Sequence, residues 1–546
     1  MSNKAEEIKI KSKKLRGTLD ESLQNPITGS LYEDDQTVIK FHGIYQQDDR
    51  DRRDERAQKK LEPLYSFMIR LRIPGGKITA KQWLGVNEIA DENSTGIIKI
   101  TTRQTVQLHG VIKSTLKPTV AWFDKYDLDS IAACGDVNRN IMSTATVAGS
   151  KAEDEVYEFS KKISEHLLPA TNAYKEIWLD GEKVTKKEEE PIYGDTYLPR
   201  KFKITIAIPP DNDVDTFAHD IGLIAVIKDD KLEGFNISIG GGMGNTHGNE
   251  KTFPRTGDLI GYASKDKIIK ICEAIATTQR DYGNREDRKL SRFKYTVDRL
   301  GVDFVKGEIE KRSYKLEPLR EFKFEARNDH YGWYKDYANR HHFLIFVENG
   351  RILDDERMSL KTALYQITKD GLSDIRFTSN QNIIVSNVEE KNKAKVEEIL
   401  KKHKVHNDWA TNLRKNAMAC VALNTCPLAL AEGQRYMPTL ISKIEPILEK
   451  HKIKDNPVSM RMTGCPNGCA RPFMAEVGFV GKSMGKYNMY IGGSDVGERL
   501  NKLYKEDLTE HEILENLDVL FASYAKNKKD GESFGDYSYN NLINKN

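Results

Sequence analysis

Alternation of apolar and polar residues, with many β-branched side chains, marks two pairs of similar segments along the chain. RLRIPGGKI, ending at Ile78, resembles LIFVENGRI, ending at Ile352. IKITTRQTVQLHGV (Ile98–Val111) resembles IRFTSNQNIIVSNV (Ile375–Val388). A period of two predicts β-strands for these segments, and helical patterns such as LKTALYQITKDG lie between them. The pattern therefore predicts two copies of a short strand–helix–strand unit.

Each copy is followed by a longer unit whose segments also resemble each other. ACGDVNRN, beginning at Ala133, resembles ACVALNTC, beginning at Ala419, and FNISIGGG at Phe235 resembles YNMYIGGS at Tyr487. The order is short unit, long unit, short unit, long unit, which indicates an internal duplication with a pseudo-twofold axis. Chance similarity between strand-rich segments is the alternative explanation for matches this short.

Helical periodicity completes the prediction of fold class. EVYEFSKKISEHLL places its apolar residues along one face, and Thr509 with Glu512 predicts a capping box before the last long helix. We predict an α+β fold, internally duplicated about a pseudo-twofold axis, with three domains after an N-terminal arm. The predicted parts are the arm 1–66, the paired short units 67–131 and 332–408 as one domain, the first long unit 132–331 and the second long unit 409–546.

Composition narrows the class of protein. The 546 residues include 85 basic and 82 acidic side chains, a formal net charge of +3 that gives no reason to expect a nucleic-acid or membrane partner. No apolar stretch approaches the length of a membrane span, and the charged start lacks the apolar core of a signal peptide, so we expect a cytoplasmic location. DDRDRRDERAQKK in the arm predicts a solvated surface segment or helix. Of the six cysteines, Cys134 and Cys272 are isolated and predicted to be ordinary small buried residues.

The other four cysteines form the strongest motif. Cys420 and Cys426 are separated by five residues, and Cys465-Pro-Asn-Gly-Cys469 follows. Four thiolates from two loops can hold an iron–sulfur cluster or a zinc ion, and disulfides are disfavoured in a cytoplasmic chain. The five-residue spacer favours the cluster, because zinc sites more often use spacers of roughly two to four residues. A structural zinc site, in a binding module without catalysis, stays open as the alternative.

Several segments resemble the siroheme sulfite and nitrite reductases. MACVALNTCPLALAEGQR and RMTGCPNGCARPFMAEVGFVG are similar to the cluster segments of that family. FHGIYQQDDRDRRDERAQKKLEP, RLRIPGGKITAKQW, TTRQTVQLHG, CGDVNRN and TYLPRKFK are similar in particular to the hemoprotein (beta) subunits of its NADPH-dependent sulfite reductases. The similarity extends, in the same order, from about residue 14 to near the C-terminus.

The resemblance implies a function, cofactors and a partner. It implies six-electron reduction of sulfite to sulfide in assimilatory sulfur metabolism and cysteine biosynthesis. Cys420, Cys426, Cys465 and Cys469 would bind one [4Fe–4S] cluster, and Cys469 would also be the axial ligand of one siroheme iron. A separate flavoprotein (alpha) subunit would supply the electrons, because the chain has no nicotinamide motif. GGGMG at Gly240–Gly244 lacks the dinucleotide spacing.

Four basic residues are candidates for the catalytic substrate site. In KFKITIAIPP, alternation places Lys201 and Lys203 on one face of a strand and Phe202 on the other. Two neighbouring ammonium groups favour an anion, although a solvated strand face is the simpler interpretation of these residues alone. The resemblance assigns both lysines, with Arg70 and Arg139, to the binding of sulfite.

A further set of residues is expected to surround siroheme. Arg103, Gln107 and His109 alternate along TTRQTVQLHG, and the resemblance implies that they line the siroheme together with Asn467 in the cysteine turn. Weaker candidates for contacts with its carboxylates are Lys99, Arg292 and Lys294. Gly135 departs from the family pattern and is left out of the site. A siroheme nitrite reductase and a ferredoxin-dependent sulfite reductase remain alternatives.

Overall fold

Twenty strands build four five-stranded sheets within residues 3–145, 149–183 and 188–544, the part of the chain that this computed structural model describes. The strands are β1 (Ile44–Asp48), β2 (Tyr65–Arg70), β3 (Lys77–Ile78), β4 (Ile98–Ile100), β5 (Val106–Val111), β6 (Met142–Ser143), β7 (Ile204–Ala207), β8 (Ile221–Lys228), β9 (Lys231–Ile239), β10 (Asp258–Ser264), β11 (Gly332–Lys335), β12 (His341–Ile345), β13 (Arg351–Ile352), β14 (Asp374–Phe377), β15 (Ile383–Val388), β16 (Ala417–Ala419), β17 (Met460–Thr463), β18 (Val477–Ser483), β19 (Lys486–Ile491) and β20 (Lys502–Leu508).

Helices pack against the sheets and cover their faces. The α-helices of the described ranges are α1 (Lys4–Lys11), α2 (Leu19–Gln24), α3 (Asp35–Val38), α4 (Arg53–Gln58), α5 (Ala80–Asn93), α6 (Leu116–Lys125), α7 (Lys151–His166), α8 (Ala173–Trp178), α9 (Ile268–Tyr282), α10 (Phe293–Leu300), α11 (Val302–Arg312), α12 (Leu360–Lys369), α13 (Glu390–Lys402), α14 (Asn412–Lys415), α15 (Met437–Lys450), α16 (Glu510–Asn527) and α17 (Phe534–Ser538). The capping box predicted at Thr509 and Glu512 is present at the start of α16. None of these described helices has the length and apolar character needed to cross a bilayer.

The two short units exchange a strand with each other. Their sheets have the orders β1-β2-β5-β4-β13 and β11-β12-β15-β14-β3, so β13 of the second copy pairs with β4 of the first, and β3 pairs with β14. The exchange is secured in the same way in both copies. The Lys99 ammonium donates to the carbonyl of Asn349, and the guanidinium Nε of Arg376 donates to the carbonyl of Gly75 at 3.2 Å. The short units are therefore interlocked.

Each segment predicted as one long strand of a short unit is a hairpin. Ile98–Val111 contains β4 and β5, joined by a turn in which Gln104 has a positive φ of 57°. Arg103 lies in this turn, so it does not share a strand face with Gln107 and His109 as predicted, although the latter two do share β5. Five consecutive polar residues, Thr101–Thr105, lie between the two strands and interrupt the alternation, a signal that the prediction overlooked.

The two long units have the same sheet plan. In each, three strands run parallel and two further strands are antiparallel, in the orders β10-β9-β8-β7-β6 and β16-β17-β18-β19-β20. The predicted similarity of Phe235 with Tyr487 is confirmed, because β9 and β19 occupy equivalent places. The pairing of ACGDVNRN with ACVALNTC is wrong: the registers make Met142 of β6 the equivalent of Met418 of β16. The duplicated α+β fold is confirmed, and the domain boundaries stay a prediction.

The pseudo-twofold axis passes through a buried ion pair. By strand register Asp215 and Arg471 are equivalent, both have a left-handed backbone with φ of 48° and 52°, and each precedes a 3₁₀ turn. The Arg471 Nε donates to Asp215 Oδ2 at 2.5 Å. Its Nη1 and Nη2 donate to the carbonyls of Thr102 and Ser379 at 2.6 and 3.1 Å, and these two are also equivalent residues of the short units. One guanidinium thus joins all four units.

Two more arginines surround the same carboxylate. Arg461 donates to Asp215, and Arg327 lies 3.7 Å from it, while all these side chains are almost completely buried. Burial alone would raise the pKa of Asp215, but the guanidinium groups of Arg461, Arg471 and Arg327 outweigh it and hold the pKa below its usual range. The carboxylate therefore stays charged and neutralises part of a buried cationic cluster.

We expect Asp215→Ala to destabilise the fold by about 3–5 kcal/mol, because it leaves buried guanidinium groups without a counter-charge. The contribution of Asp215 is present above the pKa of an unfolded aspartate, about 3.9, and is lost as the pH falls below it, so the variant should lose less stability on acidification. Chemical denaturation at several pH values measures both effects. Glu33→Ala, which removes an exposed partner of Lys4, is the control and should leave stability unchanged. Equal stability of the two variants would contradict the structural role of the pair.

Candidate cofactor and anion site

The four clustered cysteines lie at one edge of the second long-unit sheet. Cys420 directly follows β16 and Cys465 lies just beyond β17, and these neighbouring strands run parallel, so their carboxyl ends release both loops at the same edge. Cys465 is buried, Cys420 and Cys426 are partly buried, and Cys469 is exposed. The amide of Asn467 donates to Cys465 Sγ at 3.4 Å, which places this predicted cofactor residue among the thiols.

The thiols are close enough to affect one another electrostatically. Burial, and then the charge of Cys469, raise the pKa of Cys465 to about 11, and burial with the other three thiols raises the pKa of Cys420 well above its usual value. Thiolates must form before a metal binds, so this site needs a strongly cationic group to stabilise them. The site fits an iron–sulfur cluster, whose ligands are thiolates.

The thiols do not form a ready-made site for a single metal ion. Within the described ranges, no three histidine, cysteine or carboxylate side chains converge closely enough to hold a single metal ion. Zinc would require thiolates about 3.8 Å from one another, because each Zn–S bond is about 2.3 Å long.

The predicted substrate lysines lie next to the exposed cysteine. Lys201 and Lys203 flank the buried Phe202 just before β7, and neither ammonium makes a hydrogen bond or ion pair with a described residue. Burial and then Arg200 lower the pKa of Lys201 to about 7, while burial, Arg103 and Lys201 lower that of Lys203. The thiolate of Cys469 opposes both shifts. The lysine pair is therefore within electrostatic reach of the cysteine cluster.

Two arginines add to this positive charge. The guanidinium of Arg70 donates to Gln107 Oε1 at 2.8 Å and contacts Cys134 Sγ at 3.3 Å. Arg139 is buried, and its Nε donates to the carbonyl of Gly135 at 2.8 Å, so Gly135 supports the site through its backbone although it was left out. Cys134 is buried as predicted, but it contacts a site residue. Cys272 is an ordinary buried residue of α9, and burial raises its pKa to about 12.

Buried donors without partners indicate where an anionic group fits. The Nε of Arg103 and the Nε of Arg292 are both buried and lack a hydrogen-bond partner among the described residues. The remaining nitrogens of Arg103 contact His219 at 3.4 Å and the carbonyl of Asn140, neither of which is a carboxylate. Arg292 pairs with Asp220 at 3.0 Å. A buried guanidinium without a counter-ion fits a cofactor that carries carboxylates.

Comparisons with known proteins place this geometry in a family. The family model described as "Nitrite/Sulfite reductase ferredoxin-like half domain" matches residues 59–123 and 335–403, which lie in the two short units. The one described as "Nitrite and sulphite reductase 4Fe-4S domain" matches residues 158–316, in the first long unit. A protein of Leptospira biflexa, named "Sulfite reductase [NADPH] hemoprotein beta-component", is 57% identical over 98% of this chain and 97% of its own length.

The chain belongs to the nitrite and sulfite reductase family.

Other relatives agree with this membership. A Staphylococcus epidermidis protein with the same printed name is 52% identical over 97% of this chain and 93% of its own length. The structure titled "Structure of Mycobacterium tuberculosis NirA protein" superposes with a TM-score of 0.76 at 21% identity and covers 96% of each chain. Because the sequence identity is low, this superposition supports the fold alone.

A chain of hydrogen bonds sets the protonation of His109 in this reductase. Gln107 Oε1 accepts from Arg70, so its amide Nε2 must donate to His109 Nε2 at 2.8 Å. The proton of His109 is then on Nδ1, which donates to Gln47 Oε1 at 2.9 Å. Burial, with nearby Lys99 and Arg70, lowers the pKa of His109 to about 3, so the ring is neutral. Gln47 is an arm residue that the sequence did not single out.

The three weaker candidates for contacts with the siroheme carboxylates already have partners within the protein. Lys99 is hydrogen-bonded to Asn349 between the short units, and Arg292 is paired with Asp220. The ammonium of Lys294 donates to carbonyls of the Gly240–Gly244 loop. That loop supports the cysteine turn, because the next backbone N–H, of Asn245, donates to the carbonyl of Pro466 at 2.9 Å.

The arm of the reductase holds the first cysteine loop in place. The Arg50 guanidinium donates to the carbonyls of Ala429 and Cys426 at 2.6 and 3.1 Å, and Asn424 Nδ2 donates to Asp49 Oδ1 at 2.7 Å. The prediction of a solvated segment is thus wrong for Asp49 and Arg50, although the following α4 is mostly exposed. Arg50 and Ala429 are 379 positions apart, so no local pattern could reveal this contact.

We expect Arg50→Ala to expose the first cysteine loop, because loss of a charged hydrogen bond costs about 1.5 kcal/mol or more. Alkylation of Cys426 in the cofactor-free protein should then be roughly tenfold faster, since it follows local opening of the loop. Mass spectrometry after timed treatment with iodoacetamide measures the rate. Arg52→Ala is the control, because Arg52 pairs with Glu55 at the surface. Identical rates in the two variants would show that Arg50 does not secure the loop.

Proposed function

We propose that this chain reduces sulfite to sulfide with six electrons, as the hemoprotein component of an assimilatory NADPH-dependent sulfite reductase. The observation that supports this most is the position of Cys469, whose thiolate is within electrostatic reach of both the other cysteines and the two unpaired lysines. A redox centre and an anion site would then share one residue. The names of the relatives at 57% and 52% identity agree with this function.

The residues would hold two cofactors. Cys420, Cys426, Cys465 and Cys469 would bind one [4Fe–4S] cluster, and Cys469 would also bind the iron of one siroheme. Together these groups supply single electrons and an iron that binds sulfite. The siroheme carboxylates would meet the unpartnered guanidinium nitrogens of Arg103 and Arg292. Gln107, His109 and Asn467 would line the same cofactor.

The protein's own part in the reaction is to bind the anion and to supply protons. Arg70 and Arg139 would hold sulfite through N–H groups that keep their charge throughout. Lys201 and Lys203 would bind it through ammonium groups, which also carry the protons that departing oxygens need. A pKa of about 7 at Lys201 suits a group that must give and regain a proton near neutral pH.

The wider setting of the enzyme follows from the same proposal. Electrons would come from a separate flavoprotein (alpha) subunit, and the product would serve cysteine biosynthesis in the cytoplasm. A siroheme nitrite reductase is the second candidate, because the family model that matches the short units names both anions and nitrite also accepts six electrons. A ferredoxin-dependent sulfite reductase is a further alternative, which differs from the first candidate in the protein that donates the electrons.

The purified chain should reduce sulfite with a reduced viologen but not with NADPH alone. It should absorb visible light as siroheme and cluster do, and sulfite should change that spectrum. Turnover is measured with sulfite and nitrite side by side, and a higher kcat/KM for sulfite is expected. Absence of sulfite turnover would overturn the function, and turnover driven by NADPH without a flavoprotein would overturn the partner. A preference for nitrite would favour the second candidate.

We expect Lys201→Ala and Lys203→Ala to lower kcat/KM for sulfite by roughly ten- to a thousandfold, because each removes a charged contact to the anion. Turnover itself should also fall, since each lysine is a proton source. The siroheme spectrum and the iron content should stay unchanged. Steady-state assays with a reduced viologen measure the effect.

Lys231→Ala is the matched control for the lysine variants. Lys231 is exposed at the start of β9 and should be silent. If the Lys201 and Lys203 variants retain the full kcat/KM of this control, the two lysines do not bind sulfite.

A further inference from the structure

The backbone around Cys469 is fixed by three contacts. The N–H of Arg471 donates to the carbonyl of Gly468 at 3.0 Å and closes a tight turn that contains Cys469. Gly468 has a positive φ of 64°, and a Cβ there would lie 3.0 Å from Met243. The hydroxyl of Thr102 donates to the carbonyl of Cys469 at 2.8 Å. A solvent-exposed cysteine thus has a more restrained backbone than its exposure suggests.

Thr102 and Arg471 hold this turn as a closed unit. The carbonyl of Thr102 accepts from Arg471 Nη1 at 2.6 Å. Its hydroxyl donates to the carbonyl of Cys469, which lies two residues before Arg471. The same guanidinium is anchored by Asp215 and Ser379. Because Thr102 immediately precedes Arg103, the turn is fixed against the segment that carries the cofactor-facing guanidinium.

We propose that Arg471 and Thr102 are positioning residues for the Cys469 sulfur. They hold the thiolate at one place relative to the lysine pair and to Arg103, and the inference rests on the proposed function, in which that sulfur joins the cluster to siroheme. Neither residue would touch sulfite. Asp215, Thr102 and Ser379 are each bound by a different nitrogen of the rigid, planar guanidinium. A lysine ammonium carries its three donors on a single nitrogen, so we expect it not to reach all three partners at once.

A positioning role explains why a buried, charged side chain, Arg471, makes these hydrogen bonds. A hydrogen bond from a charged guanidinium is stronger than one between neutral groups, and in a buried setting it gives little freedom to the chain that carries it. A displacement of about 1 Å at a reacting centre can cost a hundredfold in rate. The shared sulfur is the one atom of the site at which such a displacement would disturb both cofactors.

The test uses holoprotein of Arg471→Lys, Thr102→Val and Thr102→Ser. Arg471→Lys keeps the charge next to Asp215, and Thr102→Val removes only the hydroxyl, so at least one variant should fold. We expect both to retain iron and acid-labile sulfide but to show changed siroheme absorption and a changed electron paramagnetic resonance spectrum. The kcat for sulfite should fall roughly ten- to a hundredfold with KM changed little. Thr102→Ser restores the hydroxyl and should restore the wild-type spectrum.

Arg16→Lys is the control for a purely structural effect. Arg16 joins the arm to Glu176 and Glu188 at 2.6 Å, so its loss should lower thermal stability and leave the spectra unchanged. If Arg471→Lys and Thr102→Val behave like this control, the positioning role is overturned. The proposed function fails separately, if the wild-type chain lacks the siroheme spectrum or does not turn over sulfite.

Discussion

A single buried carboxylate, Asp215, makes the arrangement of the four units possible. Three arginines approach it from both halves of the duplication, and without it their positive charges would repel one another in a region of low dielectric. Because Arg471 also binds the backbone of both short units, one ion pair sets the distance between the sheets. The cysteine turn ends at Cys469, two residues before Arg471, so its position depends on that contact.

The two sides of the duplication differ in charge more than in shape. The counterpart of the cofactor face lies at a cavity of about 510 Å³, lined among others by Ile384 and Ser386, which are equivalent to Gln107 and His109. Six acidic side chains line it against five lysines and arginines, and three of these cations are paired with acids: Arg72 with Asp129, Lys77 with Asp154 at 3.2 Å and Arg340 with Asp336 at 2.7 Å.

On the cofactor side, by contrast, the lysines and Arg103 make no ion pair with a described residue. The cavity on the other side therefore has little surplus positive charge to attract an anion, which supports the proposed site at the cysteines. The duplicated scaffold offered two equivalent places, and the distribution of acidic side chains distinguishes them.

The sequence predicted the features that depend on local pattern. Strands, the α12 and α16 helices, the duplication and the loops that carry Cys420 and Cys465 follow from periodicity and spacing. The hairpin turn at Arg103 was missed although five consecutive polar residues, Thr101–Thr105, interrupt the alternation there. The family resemblance supplied roles for residues such as Arg139 that no spacing could have assigned.

What remained hidden depends on contacts between distant segments. Arg50, Gln47 and Asp215 look like ordinary polar residues, and only the fold shows which of them meet a cysteine loop, a histidine or an arginine. Arg471 lies two residues after the exposed Cys469, and its burial could not be read from that position. Its partner at Asp215 is 256 positions away and could not be read from the chain.

The equivalence of Asp215 and Arg471 bears on how such a chain could arise. If two identical half-length chains associated about a true twofold axis, the same residue would meet its own copy there, and two aspartates or two arginines would repel. Opposite charges on the axis require two halves with different sequences. The ion pair thus favours association of the two halves with each other and disfavours association of either half with its own copy. Once it had formed, neither half could return to self-association.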